Sequence, residues 1–562
     1  MKAFKKFLIY LACIVGIILL VVLFAFAILY FAPGTSILGY EYVLYNKNIT
    51  TVFNTVDSDP LVTGIQAVEI VTDQTDIYIY PNTKSDELMI FHMQGLTGYA
   101  KSINADLNVI TTVETKSFEE NPNSYKTFCI NVDEPTGWIA KSKAIIYVNV
   151  PPNISLNTIH ARSNSGNIYY MSENKDKEGN ESVLNCTNLY MKTSGFGQLH
   201  IQNKHNVSNY YLTTSSGKVS FDNVSEISGN KIKFETDTGL FSVTNAAGDA
   251  TLKLSDKLEI KSYSSNSGPT VLINKLNCNM NVEARSGKYS INNVGSFGSQ
   301  KTIAMTLNKG TIDFDNVYGF LSILGDGEGV ANNINIDLLE NRTKEKNILE
   351  CGAGSVYIGT LNSNVAIDAT SGNIKINKAE AKNNSGSNTA SGNIDCYTTS
   401  GNIDISYIES TDTTNKDVKL TVLTRTGNIN LNNISCALQV EVMEDSLNSN
   451  LNIVWTAVAA VDNKINARNR KINLTVKGVD DTLQFRIAST SAVKIIESVG
   501  EEIIKDIDQD DLFVQTEYEA YNYQYRIGYV KGNDTYNSAG YDMWGKVLIS
   551  TTNSTTLRSV AK

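Results

Sequence analysis

Apolar and polar residues alternate along most of the chain from about residue 64, in short runs separated by small polar residues and glycine. An alternating run predicts a β-strand with one buried face, because successive side chains of a strand point to opposite sides. In residues 389–408, TASGNIDCYTTSGNIDISYI, the phrase SGNI occurs twice, and an alternating run follows each copy. The pattern therefore predicts pairs of strands joined by a recurring corner.

The corner phrase recurs as NSGNIYY at 164–170, TSGNIKI at 370–376 and RTGNINL at 425–431. Repeats of this kind are typical of solenoids, in which each repeat buries its apolar row against its neighbours. We predict an all-β chain folded as a parallel β-solenoid (β-helix), with strands stacked about 4.8 Å apart and ladders of asparagine amides between repeats. Antiparallel sandwiches are the alternative, but they have no need for one recurring corner.

Twelve glycines can be aligned as corners, at intervals of 17 to 29 residues. Glycine enters backbone conformations that a side chain forbids, so we expect structural turns at these positions. The aligned residues are Gly166, Gly195, Gly217, Gly239, Gly268, Gly287, Gly310, Gly327, Gly354, Gly372, Gly401 and Gly427.

Residues 7–32 carry no charge and are long enough to cross the roughly 30 Å hydrocarbon layer as a helix. Lys2, Lys5 and Lys6 precede this segment, which predicts a cytoplasmic N-terminus over residues 1–6. The sequence thus predicts a single-pass cell-membrane protein with a signal-anchor helix and everything after Pro33 outside the cytoplasm. A cleaved signal peptide is the alternative, but its apolar region is usually only 7 to 15 residues long.

Beyond the anchor, the pattern divides the chain into three parts. Residues 33–63 form a short juxtamembrane segment, and residues 64–477 carry the solenoid repeats. In residues 478–562 the corners fade, and we predict a C-terminal β cap that protects the open strand edges at the end of the stack. Its expected strands are at 515–532 and 545–552.

The formal net charge of −10 provides no basic footprint for phosphate groups, so nucleic acid is excluded as an expected partner. Seven cysteines are present, one of them inside the apolar segment. Most of the other cysteines lie on the same side of their strands as apolar neighbours, which predicts reduced thiols in the core. The sequence contains no CxxC pair, so it does not indicate a zinc site. The predicted core cysteines are Cys186, Cys278, Cys351, Cys396 and Cys436.

Candidate chemistry is sparse. The four histidines, His92, His160, His200 and His205, are too few for a histidine-rich metal centre, and no catalytic motif is present. We therefore expect no enzyme activity and no cofactor.

A calcium loop is a weaker hypothesis for DIDQDDLFVQTE, residues 506–517. Asp506, Asp508, Asp510 and Glu517 stand at positions 1, 3, 5 and 12 of that template, but Asp511 occupies the position that requires glycine. A solvated acidic loop is the simpler interpretation.

Three features carry a resemblance to a known family: AVEIVTDQTDIYIY at 67–80, the strand with a paired proline IIYVNVPPN at 145–153, and the recurring SGNI corners. Over residues 64–477 the chain resembles the bacterial putative-adhesin domain family, membrane-anchored envelope proteins with β-helix-like repeats. The family has no established activity and provides no catalytic residue. The resemblance implies a cell-envelope protein.

Taken together, these features predict a non-enzymatic, membrane-anchored envelope protein with an adhesin-like or structural ectodomain. Its repeated surface suits many weak contacts with cell-wall polysaccharide or a surface protein. One alternative is an accessory protein for envelope stress or signalling that acts through a membrane partner, because residues 1–6 are too short to signal alone. Another is a polysaccharide-active β-helix enzyme.

Overall fold

The computed structural model of the chain describes most of the β region and parts of its two ends. The described residues are 2–31, 36–37, 40–44, 49–54, 64–81, 87–94, 99–101, 108–118, 121–133, 145–150, 155–171, 173–175, 181–202, 207–221, 224–264, 267–326, 329–343, 345–381, 392–410, 419–442, 450–456, 463–467, 471–477, 484–489, 493–499, 502–507, 513–515, 525–530, 547–551 and 555–560.

One helix, α1, spans Lys2–Phe31 and contains nearly all of the predicted apolar segment. The side chains of Phe7, Leu20 and Phe24 on this helix are largely exposed, at 61%, 67% and 68%. Over the residues whose side chains are described, no helix is both long enough and apolar enough to cross a membrane.

Every other element is a β-strand, so the prediction of an all-β chain behind one helix is confirmed for the described residues. The strands of the first part, in chain order, are β1 Ser36–Ile37, β2 Tyr40–Leu44, β3 Ile49–Asn54, β4 Ala67–Thr72, β5 Asp76–Pro81, β6 Glu87–Gln94, β7 Tyr99–Lys101, β8 Asn108–Phe118, β9 Asn121–Asp133, β10 Ile145–Val150, β11 Leu156–Ser163, β12 Ile168–Met171, β13 Glu173–Lys175, β14 Glu181–Val183, β15 Cys186–Thr193, β16 Leu199–Gln202, β17 Val207–Thr214, β18 Lys218–Phe221 and β19 Glu226–Thr236.

The strands of the second part are β20 Leu240–Val243, β21 Thr251–Ser262, β22 Thr270–Leu276, β23 Asn279–Glu283, β24 Ser286–Val294, β25 Lys301–Thr306, β26 Lys309–Leu324, β27 Asn333–Glu340, β28 Asn347–Gly352, β29 Val356–Asn362, β30 Val365–Ala369, β31 Ile374–Ala381, β32 Ile394–Thr398, β33 Ile403–Ile405, β34 Ile408–Ser410, β35 Lys419–Thr424, β36 Ile429–Ile434, β37 Ala437–Val442, β38 Asn450–Thr456, β39 Asn463–Ala467, β40 Lys471–Lys477, β41 Gln484–Ser489, β42 Val493–Val499, β43 Glu502–Ile507, β44 Phe513–Gln515, β45 Tyr525–Val530, β46 Val547–Thr551 and β47 Thr555–Val560.

The chain divides into two compact units, unit 1 at Met1–Glu235 and unit 2 at Thr236–Lys562. In unit 1 the strands form two stacks. One has the strand order β8, β9, β4, β11, β15, β17. The other has the order β3, β6, β10, β5, β12, β16, β18. The pairings β8–β9, β3–β6 and β6–β10 are antiparallel, and the rest are parallel.

Spatial order and chain order differ at the start of unit 1. Strands β4 and β5 come first along the chain among the parallel strands, yet they lie inside the stacks rather than at their ends. The later strands β9 and β10 pair with β4 and β5 along one edge, and β11 and β12 pair with them along the other edge. The repeats that begin at residue 64 are therefore not stacked in simple sequence order.

Unit 2 also contains two stacks of mostly parallel strands. One has the order β20, β22, β24, β26, β27, β29, β31, β33, β36, β38, β40, β47, β42, β43. The other has the order β21, β23, β25, β26, β28, β30, β32, β35, β37, β39, β46, β41, β45, β44. The long strand β26 contributes to both.

Equivalent residues of successive repeats lie next to one another in these stacks. Ile374 pairs with Ile403, and Ile403 pairs with Ile429, in unbroken register. All three side chains are fully buried. The alternating apolar row thus becomes a continuous core of like residues, because register in a half-buried strand is fixed by the face that must leave water.

The predicted C-terminal cap is arranged differently from the expectation. The strand expected at 545–552 corresponds to β46, which lies between β39 and β41 inside the stack. Its neighbour β47 lies in the same way between β40 and β42. The antiparallel strands β43, β44 and β45 stand at the ends instead, and β45 falls within the segment predicted at 515–532.

Candidate functional site

The corner glycines of unit 2 lie directly against the backbone of the preceding repeat. A Cβ atom added to Gly401 would lie 1.8 Å from the carbonyl oxygen of Gly372, and one added to Gly427 would lie 1.7 Å from that of Gly401. Gly372 faces the carbonyl oxygen of Gly354 in the same way. Because backbone atoms cannot move aside as a flexible side chain can, only glycine fits at these corners.

This reason differs from the one expected from the sequence, which was an unusual backbone conformation. Of the aligned glycines within the described residues, Gly287 has a positive φ, of 154°, and the others do not. The glycines of the SGNI corners are required by the close approach of stacked backbones.

Two corners lie at positions that the sequence alignment missed. In unit 1, Gly197 rather than Gly195 stands between Gly166 and Gly217, and its carbonyl oxygen faces Gly217. In unit 2, the carbonyl oxygen of Asn332 faces Gly354, so an asparagine occupies the corner to which Gly327 had been assigned. Gly327 itself lies outside the described residues.

The remaining aligned glycines have varied surroundings. A Cβ atom on Gly268 would meet the carbonyl oxygen of Ser286, one on Gly287 that of Pro269, and one on Gly310 the side chain of Leu307 at 3.2 Å.

A buried hydroxyl group holds five of these corners. The glycine N–H donates a hydrogen bond to the side-chain oxygen of a serine or threonine three residues earlier. The pairs are Gly166 with Ser163 at 2.9 Å, Gly217 with Thr214 at 2.9 Å, Gly239 with Thr236 at 2.7 Å, Gly401 with Thr398 at 2.9 Å and Gly427 with Thr424 at 3.0 Å. The pattern S/T-x-x-G therefore accompanies these five corners, whereas Ala369 and Cys351 stand at the equivalent positions before Gly372 and Gly354.

The asparagines that follow Gly372, Gly401 and Gly427 bond to the next repeat. The N–H of Asn402 donates to Oδ1 of Asn373 at 2.9 Å, and the N–H of Asn428 donates to Oδ1 of Asn402 at 3.0 Å. The N–H of Asn450 continues the series to Oδ1 of Asn428 at 2.9 Å. An asparagine amide thus satisfies a backbone donor at the turn, where no strand partner is available.

A second series of side chains lies on an outward face of unit 2, which we call the amide column: the carboxylate of Asp404 and the amides of Asn430, Asn452 and Asn473. Nδ2 of Asn430 donates to Asp404 at 2.7 Å, and Nδ2 of Asn452 donates to Oδ1 of Asn430 at 2.9 Å. Asn473 donates to Asn452 at 2.8 Å. The predicted ladders of asparagine amides are therefore present in both places.

Unit 1 has aromatic side chains in a comparable outward position. The ring of Tyr78 stacks on that of Tyr169 at 4.1 Å between centroids, and Tyr169 stacks on His200 at 4.7 Å. On its other side Tyr78 meets Tyr147 at 5.2 Å. The flat faces of Tyr78, Tyr169 and His200 cover one another, and burial raises the pKa of the Tyr78 hydroxyl.

A half-buried charged cluster crosses four neighbouring strands of unit 1. Oε1 of Glu69 on β4 lies 3.1 Å from Nδ1 of His160 on β11. Oε2 of the same carboxylate lies 2.6 Å from Nζ of Lys116 on β8. The Cys129 thiol on β9 donates to the same carboxylate at 3.7 Å. No motif marked these residues, because they lie far apart along the chain and come together only through the strand order.

The pKa of Glu69 is lowered to about 2, and the hydrogen bond with His160 is the largest cause. Burial acts in the opposite direction and raises the pKa. Because the folded-state pKa lies below that of the unfolded chain, ionised Glu69 stabilises the fold fully above the unfolded value near 4.5. This stabilisation is lost as the pH falls towards about 2.

We expect Glu69→Gln to destabilise unit 1 by about 2 kcal/mol at pH 7, because charged hydrogen bonds contribute roughly 1.5 to 3 kcal/mol. The difference in Tm between this variant and the wild-type chain should shrink between pH 5 and pH 2. Glu114→Gln is the matched control, because Glu114 is more exposed and lies 3.5 Å from Lys116. A Glu69→Gln deficit that is constant over this pH range would contradict the assignment.

The predicted core cysteines are buried, and Cys129, for which no prediction was made, is buried as well. All are free thiols. Burial raises the pKa of Cys186, Cys278, Cys351 and Cys436 to about 12.

We expect these thiols to react with alkylating reagents at pH 8 about 10³-fold more slowly in the native chain than in the denatured chain, because only the thiolate reacts. Mass spectrometry after timed alkylation would measure each site, and denatured protein is the control. Equal rates in the two states, or disulfides between these residues, would contradict their burial as free thiols.

The calcium hypothesis falls on residues that are not described, except for the backbone of Asp506 in β43. Asp508, Asp510 and Glu517 lie outside the described residues, and so does His205. Among the residues that are described, no group of three or more His, Cys, Asp or Glu side chains could hold a metal ion.

Neither a protein-family model nor a curated protein matches the sequence. Among solved structures, the chain is similar to a putative adhesin from Bacteroides fragilis, with 13% identity and a TM-score of 0.30 over 48% of this chain and 98% of that one. A putative cell adhesion protein from Clostridium sporogenes matches with 11% identity and a TM-score of 0.21 over 45% and 100% of the two chains. A putative adhesin from Parabacteroides merdae matches with 14% identity and a TM-score of 0.21 over 64% and 96%. The similar structures are thus bacterial putative adhesins, as the resemblance predicted.

Proposed function

We propose that this chain is a non-enzymatic, membrane-anchored envelope protein whose β-solenoid ectodomain serves adhesion or a structural role. The stacking within each unit supports the solenoid, because a strand pairs in parallel with the equivalent strand of the next repeat. Corners built from glycine, a hydroxyl group and asparagine repeat with the strands. A surface of this kind presents the same groups again at every repeat.

The amide column is the observation that carries the adhesive role. Its side chains recur with the strand spacing of about 4.8 Å. Each of the three asparagines donates one N–H within the column, and Oδ1 of Asn430 and Oδ1 of Asn452 also accept one. Because an amide carries two N–H groups and two lone pairs, these partly exposed side chains suit a hydroxyl-rich partner such as a polysaccharide.

Several weak contacts of this type add up when the partner also repeats. Linked contacts raise the overall affinity by roughly 10²- to 10⁴-fold without any deep pocket. A cell-wall polysaccharide or a repetitive surface protein is the partner class that this geometry fits, and such binding requires neither a cofactor nor a catalytic group.

The anchored location rests on the sequence of residues 7–32, which carries no charge. Alkaline carbonate extraction of cells that express the full chain would test it. Retention in the membrane pellet supports the anchor, whereas release into the supernatant contradicts it.

A glycan array with the full chain in detergent micelles tests the proposed function. We expect binding to one class of repeating polysaccharide, increasing with polymer length. The triple variant Asn430→Ala, Asn452→Ala and Asn473→Ala should lose this binding, whereas Thr421→Ala with Gln439→Ala on the other stack should retain it. Release of shortened polysaccharide would favour the enzyme alternative, and failure to bind any polysaccharide would overturn the proposed recognition of polysaccharide by the amide column.

A further inference from the structure

The parallel repeat that comes first along the chain lies in an unusual position in unit 1. Residues 67–81, which form β4 and β5, are the first parallel strands along the chain and follow the antiparallel strand β3 at the end of one stack. In a solenoid stacked in sequence order, this repeat would be at the end and would be paired along one edge only. Here both strands are paired along both edges, with β9 and β11 beside β4 and with β10 and β12 beside β5.

Pairing on both edges increases the number of hydrogen bonds that a force on the chain must break to release these strands. A terminal repeat can be peeled away by breaking one row of hydrogen bonds at a time. Removing residues 67–81 requires two rows to break for each strand, and both neighbouring repeats are left with open edges. The cost of release is therefore shared with the repeats on both sides.

Side chains reinforce this segment at several points. Glu69 joins β4 to Lys116 and His160, at 2.6 and 3.1 Å. At the corner, Oδ1 of Asp76 accepts the N–H of Asn167 at 2.6 Å.

The aromatic contacts add to this reinforcement on both sides. Tyr78 packs against Tyr147 on β10 and against Tyr169 on β12. The contacts therefore extend to repeats on both sides of residues 67–81.

We propose that residues 67–81 are a load-bearing clamp that transmits tension from the N-terminal side of the chain to the stacked repeats of unit 1. In an adhesin anchored at its N-terminus, tension would reach residues 67–81 once the pairings β2–β7 and β3–β6 have opened, so the biological use of the clamp rests on the proposed function. The mechanical order of opening does not depend on that function, because it follows from the pairing alone.

Optical tweezers can measure this order on the full chain in detergent micelles. Handles would be attached through a short enzymatic tag inserted at residue 58 and a second tag at the C-terminus. Release of residues 67–81 lengthens the chain by about 50 Å at roughly 3.4 Å per residue. We expect this step after other repeats have opened, and not as the first event at the lowest force.

Variants separate the clamp from general stability. Glu69→Gln combined with Asp76→Ala should shift the release of residues 67–81 to lower force, whereas Lys257→Gln, which removes a 2.7 Å surface ion pair with Glu259 in unit 2, should not. Hydrogen exchange of the unloaded chain is a second measurement, in which amides of 67–81 should be protected at least as well as those of 207–221. Release of 67–81 as the first event, or faster exchange there than at 207–221, would overturn the clamp, while the glycan array tests the adhesive role separately.

Discussion

Substituting alanine for Gly401 is expected to destabilise unit 2 by about 3 kcal/mol, because an added atom forces the stacked backbones apart. The new Cβ would lie 1.8 Å from the carbonyl oxygen of Gly372 and 2.6 Å from its carbonyl carbon. Neither atom can move without disturbing the repeat to which it belongs. Chemical denaturation of the full chain, followed by circular dichroism in the β-strand region, would measure the loss.

Gly298→Ala is the matched control. A Cβ atom at Gly298 meets nothing within 4 Å, and this glycine has no positive φ. The control should change stability by no more than about 0.5 kcal/mol. If Gly401→Ala were as mild as Gly298→Ala, the corner glycines would not lie against the backbone of the preceding repeat.

Replacement of Asn332 by alanine should cost unit 2 about 3 kcal/mol, because Asn332 is a fully buried corner residue. Its Oδ1 accepts the N–H of Gly310 at 2.8 Å, and its Nδ2 donates to the carbonyl oxygens of Leu307 at 2.8 Å and Glu350 at 3.2 Å. Alanine leaves all three backbone groups without this partner in a region that water does not reach. The free energy of unfolding from urea titration would show the effect.

Asn452→Ala serves as the comparison, because Asn452 also bonds to two neighbouring repeats but lies partly exposed in the amide column. Water can replace its partners, so we expect a loss of about 1 kcal/mol. Equal losses for the two variants would mean that Asn332 is not a buried link between repeats.

The sequence allowed prediction of those features that depend on local pattern. Alternation predicted the strands, and recurrence of SGNI predicted that corners stack on one another, since Gly401 and Gly427 recur with their flanking strands. The chemical reason for glycine could not be predicted in this way. Whether a glycine is needed for its φ angle or for a close approach depends on what lies beside it, and the neighbour of Gly401 is 29 residues away.

The order of the strands in the stacks could not be predicted from the sequence. Pattern predicts that residues 67–81 form strands, but a strand with one buried face has the same pattern whether it lies at the end of a stack or inside it. The cluster of Glu69, Lys116 and His160 depends on that order, so it could not be found by motif. Asn332 was missed for another reason, because a corner that uses asparagine in place of glycine does not match the phrase by which corners were aligned.

Engineered disulfides between successive repeats test the central claim, the in-register stacking of the SGNI repeats, most directly. Residues 404, 430 and 452 are direct neighbours in register, one strand apart. Strands one apart are separated by about 4.8 Å and strands two apart by about 9.6 Å, beyond the roughly 7 Å limit for a disulfide. The full chain would be oxidised mildly and the cross-links detected by mass spectrometry. We expect a disulfide in the double variant Asp404→Cys with Asn430→Cys, and in Asn430→Cys with Asn452→Cys. We expect none in Asp404→Cys with Asn452→Cys. Cross-linking of the third pair in preference to the first two would contradict the stacking.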